Sequence, residues 1–155
     1  MPIPLDSFIV NVTERNDVVT TRQAEGRVGT DKVILADNTE TLPDKQELIT
    51  VIIDGDKTVP TQLTITLDEA QNPVRVVTFE GTGKVRISED PKKQLSVEEN
   101  SLVQTLVASL RGKLAVNGNS IPVTDVQTIS EQATDLRSKM LSNPQLDPTV
   151  YQPGF

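Results

Sequence analysis

The chain contains no cysteine, no histidine and no tryptophan, and only 3 Phe and 1 Tyr among its 155 residues. Without cysteine there is no disulfide framework and no thiolate nucleophile, which fits a reducing compartment. Without histidine the commonest general base and the commonest metal ligand are missing. Ser-His-Asp and Cys-His catalytic arrangements and His-containing zinc sites are therefore excluded. No long apolar run occurs, so no transmembrane helix is expected. Met1-Pro2-Ile3-Pro4 lacks the basic and apolar regions of a signal peptide, which points to cytosol-like surroundings. Basic residues are outnumbered, 15 against 22 acidic, for a net charge of -7. Affinity for nucleic acid or anionic membrane rests on Lys and Arg, and this balance supplies few of them. An enzyme is the least expected class, with no cofactor, no metal and no small-molecule substrate.

What is present suits one domain. Hydrophobic residues make up 35% and aromatics 3%, so a core built from this chain alone would be thin. Copies of the chain could supply the missing burial, and self-association is expected.

The N-terminal part is written with a period of two. Phe8, Val10 and Val12 alternate with Ile9, Asn11 and Thr13, and Glu14-Arg15-Asn16-Asp17 is a polar turn. Val18 to Arg22 returns as a β-branched strand, giving a hairpin, and Gly26 and Gly29 punctuate the way out. Lys32 to Ala36 is a short strand, and Asp37 to Gln46 reads as a loop. Glu47 to Asp54 alternates Ile49, Val51 and Ile53 with Leu48, Thr50 and Ile52, before a turn at Asp54-Gly55-Asp56. Thr61 to Asp68 is the cleanest alternation, burying Leu63, Ile65 and Leu67. From Val76 to Ser88 a single parity holds. This segment is one long strand with a glycine-softened middle or a hairpin turning at Gly81-Thr82-Gly83, and the unbroken parity favours the long strand.

The period then changes to helical. Ser96-Val97-Glu98-Glu99 is a capping box, followed by Leu102, Val103, Leu106, Val107, Leu110 and Leu114 at helical spacing. Gly112 marks an end or a soft turn. Thr124-Asp125-Val126-Gln127 has the form of a second capping box, and Val126, Ile129, Ala133, Leu136 and Met140 form a narrow apolar stripe. Pro144, Pro148 and Pro153 predict an extended or disordered tail. The expected class is α+β: an N-terminal hairpin and antiparallel meander over 7–89, two helices over 96–141, together one domain spanning 1–141, and a proline-rich tail over 142–155.

Three motifs have a plainer reading than the chemistry they suggest. Asp54-Gly55-Asp56 lacks the spaced ligands and closing Glu of an EF-hand, and is a turn. Gly81-Thr82-Gly83-Lys84 has neither Walker spacing nor a following helix. Glu98 and Glu99 are first-turn acids favoured by the helix dipole rather than an acid–base pair.

A hairpin, a strand meander and two C-terminal helices in that order resemble the coat proteins of single-stranded RNA bacteriophages. Leu63-Thr64-Ile65-Thr66-Leu67-Asp68 is similar to the family's Thr-bearing central strand. Leu95-Ser96-Val97-Glu98-Glu99 is similar to its step into the first helix, and the likeness covers roughly residues 7 to 116. The resemblance implies a homodimer with one sheet continued across both subunits and helices that clasp the partner. Dimers would close into an icosahedral shell around a single-stranded RNA genome, assembled in a bacterial host cytoplasm and ending as a virion. It implies that the sheet face opposite the helices meets RNA, including a translation-repressing hairpin. Carried over by position, the RNA-facing residues are Thr50, Ile52, Thr64, Thr66, Thr78, Glu80, Thr82, Lys84 and Arg86. Lys84 and Arg86 would meet phosphates and the Thr hydroxyls base edges. The inter-dimer loop would be Asp68, Glu69, Ala70, Gln71, Asn72 and Pro73, and the dimer-clasp helix would present Leu102, Val103, Leu106, Val107 and Leu110. The chain departs from the family at Thr66, where many relatives carry Lys, and in having no aromatic at a base-stacking position among these residues. The alternative is another self-assembling viral or bacterial subunit, of decoration, tail or pilus type, without RNA binding.

Overall fold

The computed structural model describes residues 8–15, 18–38, 46–55, 61–81, 84–146 and 148–150. Its class is α+β, as the two periods predict. The first strands are β1 (Phe8–Ile9), β2 (Asn11–Arg15), β3 (Val18–Val28) and β4 (Asp31–Asn38). They are followed by β5 (Glu47–Asp54), β6 (Thr61–Leu67), β7 (Pro73–Gly81) and β8 (Lys84–Ser88). A short helix α1 (Pro91–Gln94) leads into α2 (Val97–Lys113). Strand β9 (Ser120–Ile121), helix α3 (Val123–Leu141) and β10 (Pro148–Val150) complete the chain.

Strands β2 to β8 form one antiparallel meander, and β10 returns to pair with β8 as its eighth strand. The helices α2 and α3 pack on each other and lie together on one face of this sheet, which buries the alternating residues of the central strands. Register follows burial: Leu35 pairs with Val51, and Val51 with Leu63. Slipping any of these strands by one residue would bring Ile34, Thr50 or Thr64 into the core instead. The α3 stripe of Val126, Ile129, Ala133, Leu136 and Met140 is buried throughout, at the helical spacing that marks it in the sequence.

Helix α2 starts where its box stands. The Ser96 hydroxyl accepts from Glu99 N at 3.1 Å, and Glu99 Oε1 accepts from Ser96 N at 3.1 Å. This satisfies two otherwise orphaned donors. The second expected box is absent. Helix α3 begins at Val123 behind Pro122, whose fixed φ of -59° suits a helix entrance, so Thr124 is already helical. Asp125 is turned instead to Lys113 Nζ at 3.0 Å. The long-strand reading of 76–88 is also corrected: β7 and β8 are a hairpin. Val77 pairs with Ile87 and Val76 with Ser88, and partners that differ by an even number carry one parity straight through a turn.

The expected loop from Asp37 is shorter than predicted at its start, because Asp37 and Asn38 close β4; its residues 39–45 lie outside the described residues. The expected turn at Asp56 likewise lies outside them. The tail is not simply extended. Residues 142–146 turn over the end of α3, Leu146 inserts into the core, and Pro148–Val150 pairs with β8.

Candidate interaction surface: the open face of the sheet

The helices cover one face of the sheet and leave the other open. Pairing carries each row of open-face side chains across the strands. One row runs Gln23, Ala36, Thr50, Thr64, Val77, Ile87. A second runs Glu25, Ile34, Ile52, Gln62. A third runs Asn38, Leu48, Thr66, Arg75. Phe79 and Val85 pair across the hairpin on the same side. The middle of this surface is aliphatic, aromatic, Thr and amide. Its formal charges sit at the rim, on Glu25, Arg27, Lys32, Asp54 and Arg75, and Lys32 already pairs with Glu25 at 2.9 Å.

This geometry divides the residues expected to face RNA. Thr50, Ile52, Thr64 and Thr66 are on the open face, half-buried or, for Thr66, buried among neighbours. Thr78 and Arg86 are not, which is a correction. Thr78 pairs with Leu63 on the helix-covered side, is 0% exposed, and its hydroxyl donates to the Gln62 carbonyl at 3.1 Å. Arg86 pairs with Thr78, and its Nη1 donates to the Leu146 carbonyl at 2.6 Å. The physical reason is the strand offset between β6 and β7. Ile65 pairs with Val76, so odd residues of β6 share a face with even residues of β7. Val77, Phe79, Val85 and Ile87 are thereby turned to the open side, although their apolar parity suggested core. Lys84 is exposed at the hairpin end. The side chain of Glu80, and Thr82 entirely, lie outside the described residues.

The helix expected to clasp a partner is seated on its own sheet. Val103, Leu106, Val107 and Leu110 are buried in the chain's own core, and Leu102 packs against it, so their apolar area is used within the subunit. The loop from Asp68 to Pro73 is a tight, exposed connection from β6 to β7. Asp68 Oδ1 accepts from Asn72 N at 2.8 Å, and Gln71 takes the left-handed φ of 72°. Pro73 already belongs to β7. Held by its own hydrogen bonds, this loop presents Glu69, Ala70, Gln71 and Asn72 to solvent.

The β8 edge and the start of β2 are both taken up by the same chain, with β10 as the outer strand at the first end. At the β8 edge β10 is paired from Lys84 to Arg86. At the other edge the α2–α3 connection lies along the start of β2. Val10 N donates to Asn119 O at 2.8 Å, Gly118 N donates to Val10 O at 2.7 Å, and Val12 N donates to Asn117 Oδ1 at 3.2 Å. A bulge between Thr13 and Glu14 interrupts the rest of that strand. Such covers and bulges blunt edge-to-edge pairing.

Two buried polar clusters fix the frame around this surface. In the first, Asp37 and Glu47 lie on adjacent strands under the end of α2, with Arg22 paired across from Asp37 and Arg111 Nε 3.5 Å from Glu47. Burial, then the hydrogen bond with Glu47 and its negative charge, push the Asp37 carboxyl up to about 7. In the second, Glu99 accepts from Asn143 Nδ2 at 3.0 and 3.1 Å, and the same amide donates to Gln94 O at 2.9 Å. This ties the start of the tail to the start of α2. Neither cluster was legible as a unit in the sequence, because Asp37 had the look of a loop residue.

Among the described residues no group of three or more acidic side chains converges on a metal-binding geometry, and no helix is long and apolar enough to cross a membrane. A depression of about 590 Å³ beside the start of α2, lined by Gln94, Ser96, Glu98, Lys139 and Asn143, is open to solvent. Lys139 there pairs with Glu98 at 3.6 Å and with Asp135 at 3.4 Å. In comparisons with known proteins, no family model, no curated protein and no solved structure matches the chain.

Proposed function

We propose that this chain is a structural subunit that assembles with copies of itself into a many-copy shell of the coat-protein kind. The observation that carries the reading is the one-sided architecture: a seven-strand antiparallel meander with both long helices on one face and a broad, uncharged face left open. An antiparallel sheet commonly leaves one face to water, and that face then alternates to polar residues. Here it alternates to Ile34, Leu48, Ile52, Val77, Phe79 and Ile87 as much as to Thr and Gln. The order of hairpin, meander and two helices supports the coat-protein resemblance, with an RNA genome as the packaged partner and the virion as its destination.

One observation favours assembly without RNA on this face. Phosphate recognition needs cations, and the open face offers them only at its rim, with Arg86 turned inward to Leu146. The two readings separate when the full chain is expressed in bacteria and the product is imaged by electron microscopy. Closed shells are expected, and their absorbance ratio reads the nucleic acid they hold. Shells with nuclease-protected RNA would support the genome-coat reading, and empty shells the RNA-free one. Particles of neither kind, with only single chains present, would overturn the proposal.

A further inference from the structure

We infer that the open face of the sheet is covered by the same face of a second copy, so that the building block is a two-sheet sandwich with its helices outside. The inference rests on the self-association reading and specifies the surface used.

Three features argue for this occupant. First, the face is chemically suited to protein rather than to nucleic acid. Its central row of Ala36, Thr50, Thr64, Val77 and Ile87 carries no charge, and the flanking Leu48, Ile52 and Phe79 are apolar. An interface with an apolar middle and a charged rim is the usual anatomy of protein association. Second, the chain itself takes up the β8 edge, the start of β2 and the apolar stripes of its helices. Residues 117–119 lie along the start of β2, β10 takes the β8 edge and is itself the short outer strand, and the α2 and α3 stripes are used in the subunit's own core. Third, the size is right. Strands about 4.8 Å apart and residues about 3.3 Å apart make the face from β3 to β8 roughly 25–30 Å by roughly 17–20 Å. That is on the order of 500 Å² in projection, enough for the ~500 Å² per partner of a minimal specific interface.

Charge selects a second copy over an unrelated chain. With a net charge of -7, two subunits repel through most of their surfaces. The uncharged centre of the open face is where two copies can meet without opposing like charges. A two-fold contact needs only this one surface to match itself, and sheets packed this way lie about 10 Å apart.

The absence of cysteine makes a direct test available. In the Thr64→Cys variant the only thiol lies at the middle of the central row. A short bismaleimide is expected to join two chains into one species of doubled mass, while Gln127→Cys, on exposed α3, should give little of it. A second variant, Thr64→Arg, should raise the midpoint concentration for dimer formation at least about a hundredfold, because two guanidinium groups would face each other in a desolvated contact. Its thermal unfolding should still be cooperative, since Thr64 is outside the core. An assembled mass unchanged by Thr64→Arg together with failed cross-linking would overturn this inference and leave self-association standing. A gain of bound nucleic acid with unchanged assembly would assign the face to RNA and overturn it too. A parent chain that is monomeric at every concentration would overturn both.

Discussion

Asp37→Asn is expected to flatten the pH dependence of stability. The parent should lose stability between about pH 4 and about pH 7.5, with a melting temperature falling by roughly 5–10 °C, while the variant falls much less. The cause is the carboxyl pair. Asp37 is 3% exposed and shares a hydrogen bond with Glu47, which two ionised carboxylates cannot make. One proton must be held, and the folded chain holds it on Asp37 up to about 7, well above the ordinary aspartate value of 3.8. The sign follows from linkage. The raised pKa means that the folded state binds the proton more tightly than the unfolded state. The contribution is complete below the unfolded value and is lost as pH rises through about 7. Its ceiling is roughly 4 kcal/mol, with the charges of Arg22 and Arg111, which favour the ionised form, already offsetting part of the rise. An amide at this position can donate to Glu47 at any pH. Parallel melting curves for parent and variant across that range would remove the shared proton from the account.

Glu99→Ala should destabilise the fold by about 2–4 kcal/mol, read from the urea midpoint. The buried carboxylate takes Ser96 N into the capping box and the Asn143 amide into the core. Its loss takes a charged partner from both donors, and the Asn143 amide is left with Gln94 O alone. Glu98 is the internal control. It is in the same first turn but exposed, so Glu98→Ala should cost less than ~0.5 kcal/mol. Glu99→Ala should also release the tail, because Asn143 precedes Leu146, the tail's buried anchor. Faster proteolysis near residues 144–150 in the folded variant reads that effect separately from global stability. Equal costs for Glu98→Ala and Glu99→Ala would show that the network does not hold the tail.

These two clusters mark where the sequence was less readable. The strands from Glu47 to Leu67 and the start of α2 were legible because a single local rule decides each: alternation in the first case, a cap and its box in the second. The face assignment of β7 and β8 was not local. It depends on how β7 pairs with β6, and a pairing of Ile65 with Val76 rather than Val77 exchanges the two faces of the hairpin. The apolar parity of Val77, Phe79, Val85 and Ile87 suggested residues covered by the helices, and the pairing turns them to the opposite face. The second capping box failed because Pro122 starts α3 earlier than the box would. The α2 stripe, expected to hold a partner, is used at home because the connection through residues 114–122 folds α3 back beside α2 on the same sheet.

The placement of polar groups also changes the reading of the RNA-facing set. Sequence position gave Thr50, Ile52, Thr64 and Thr66 correctly to one face, and grouped with them Thr78 and Arg86, which face the core side. The surface that remains is richer in apolar residues and poorer in cations than the resemblance implies. It is therefore better suited to contact with protein.

The central claim is that this chain works as an assembly of copies. Light scattering on the size-fractionated full chain tests it most directly, across a range of concentrations near neutral pH. The account predicts a mass at least twice 16.9 kDa, rising to many-copy particles as concentration increases. A mass that stays at 16.9 kDa throughout would contradict it.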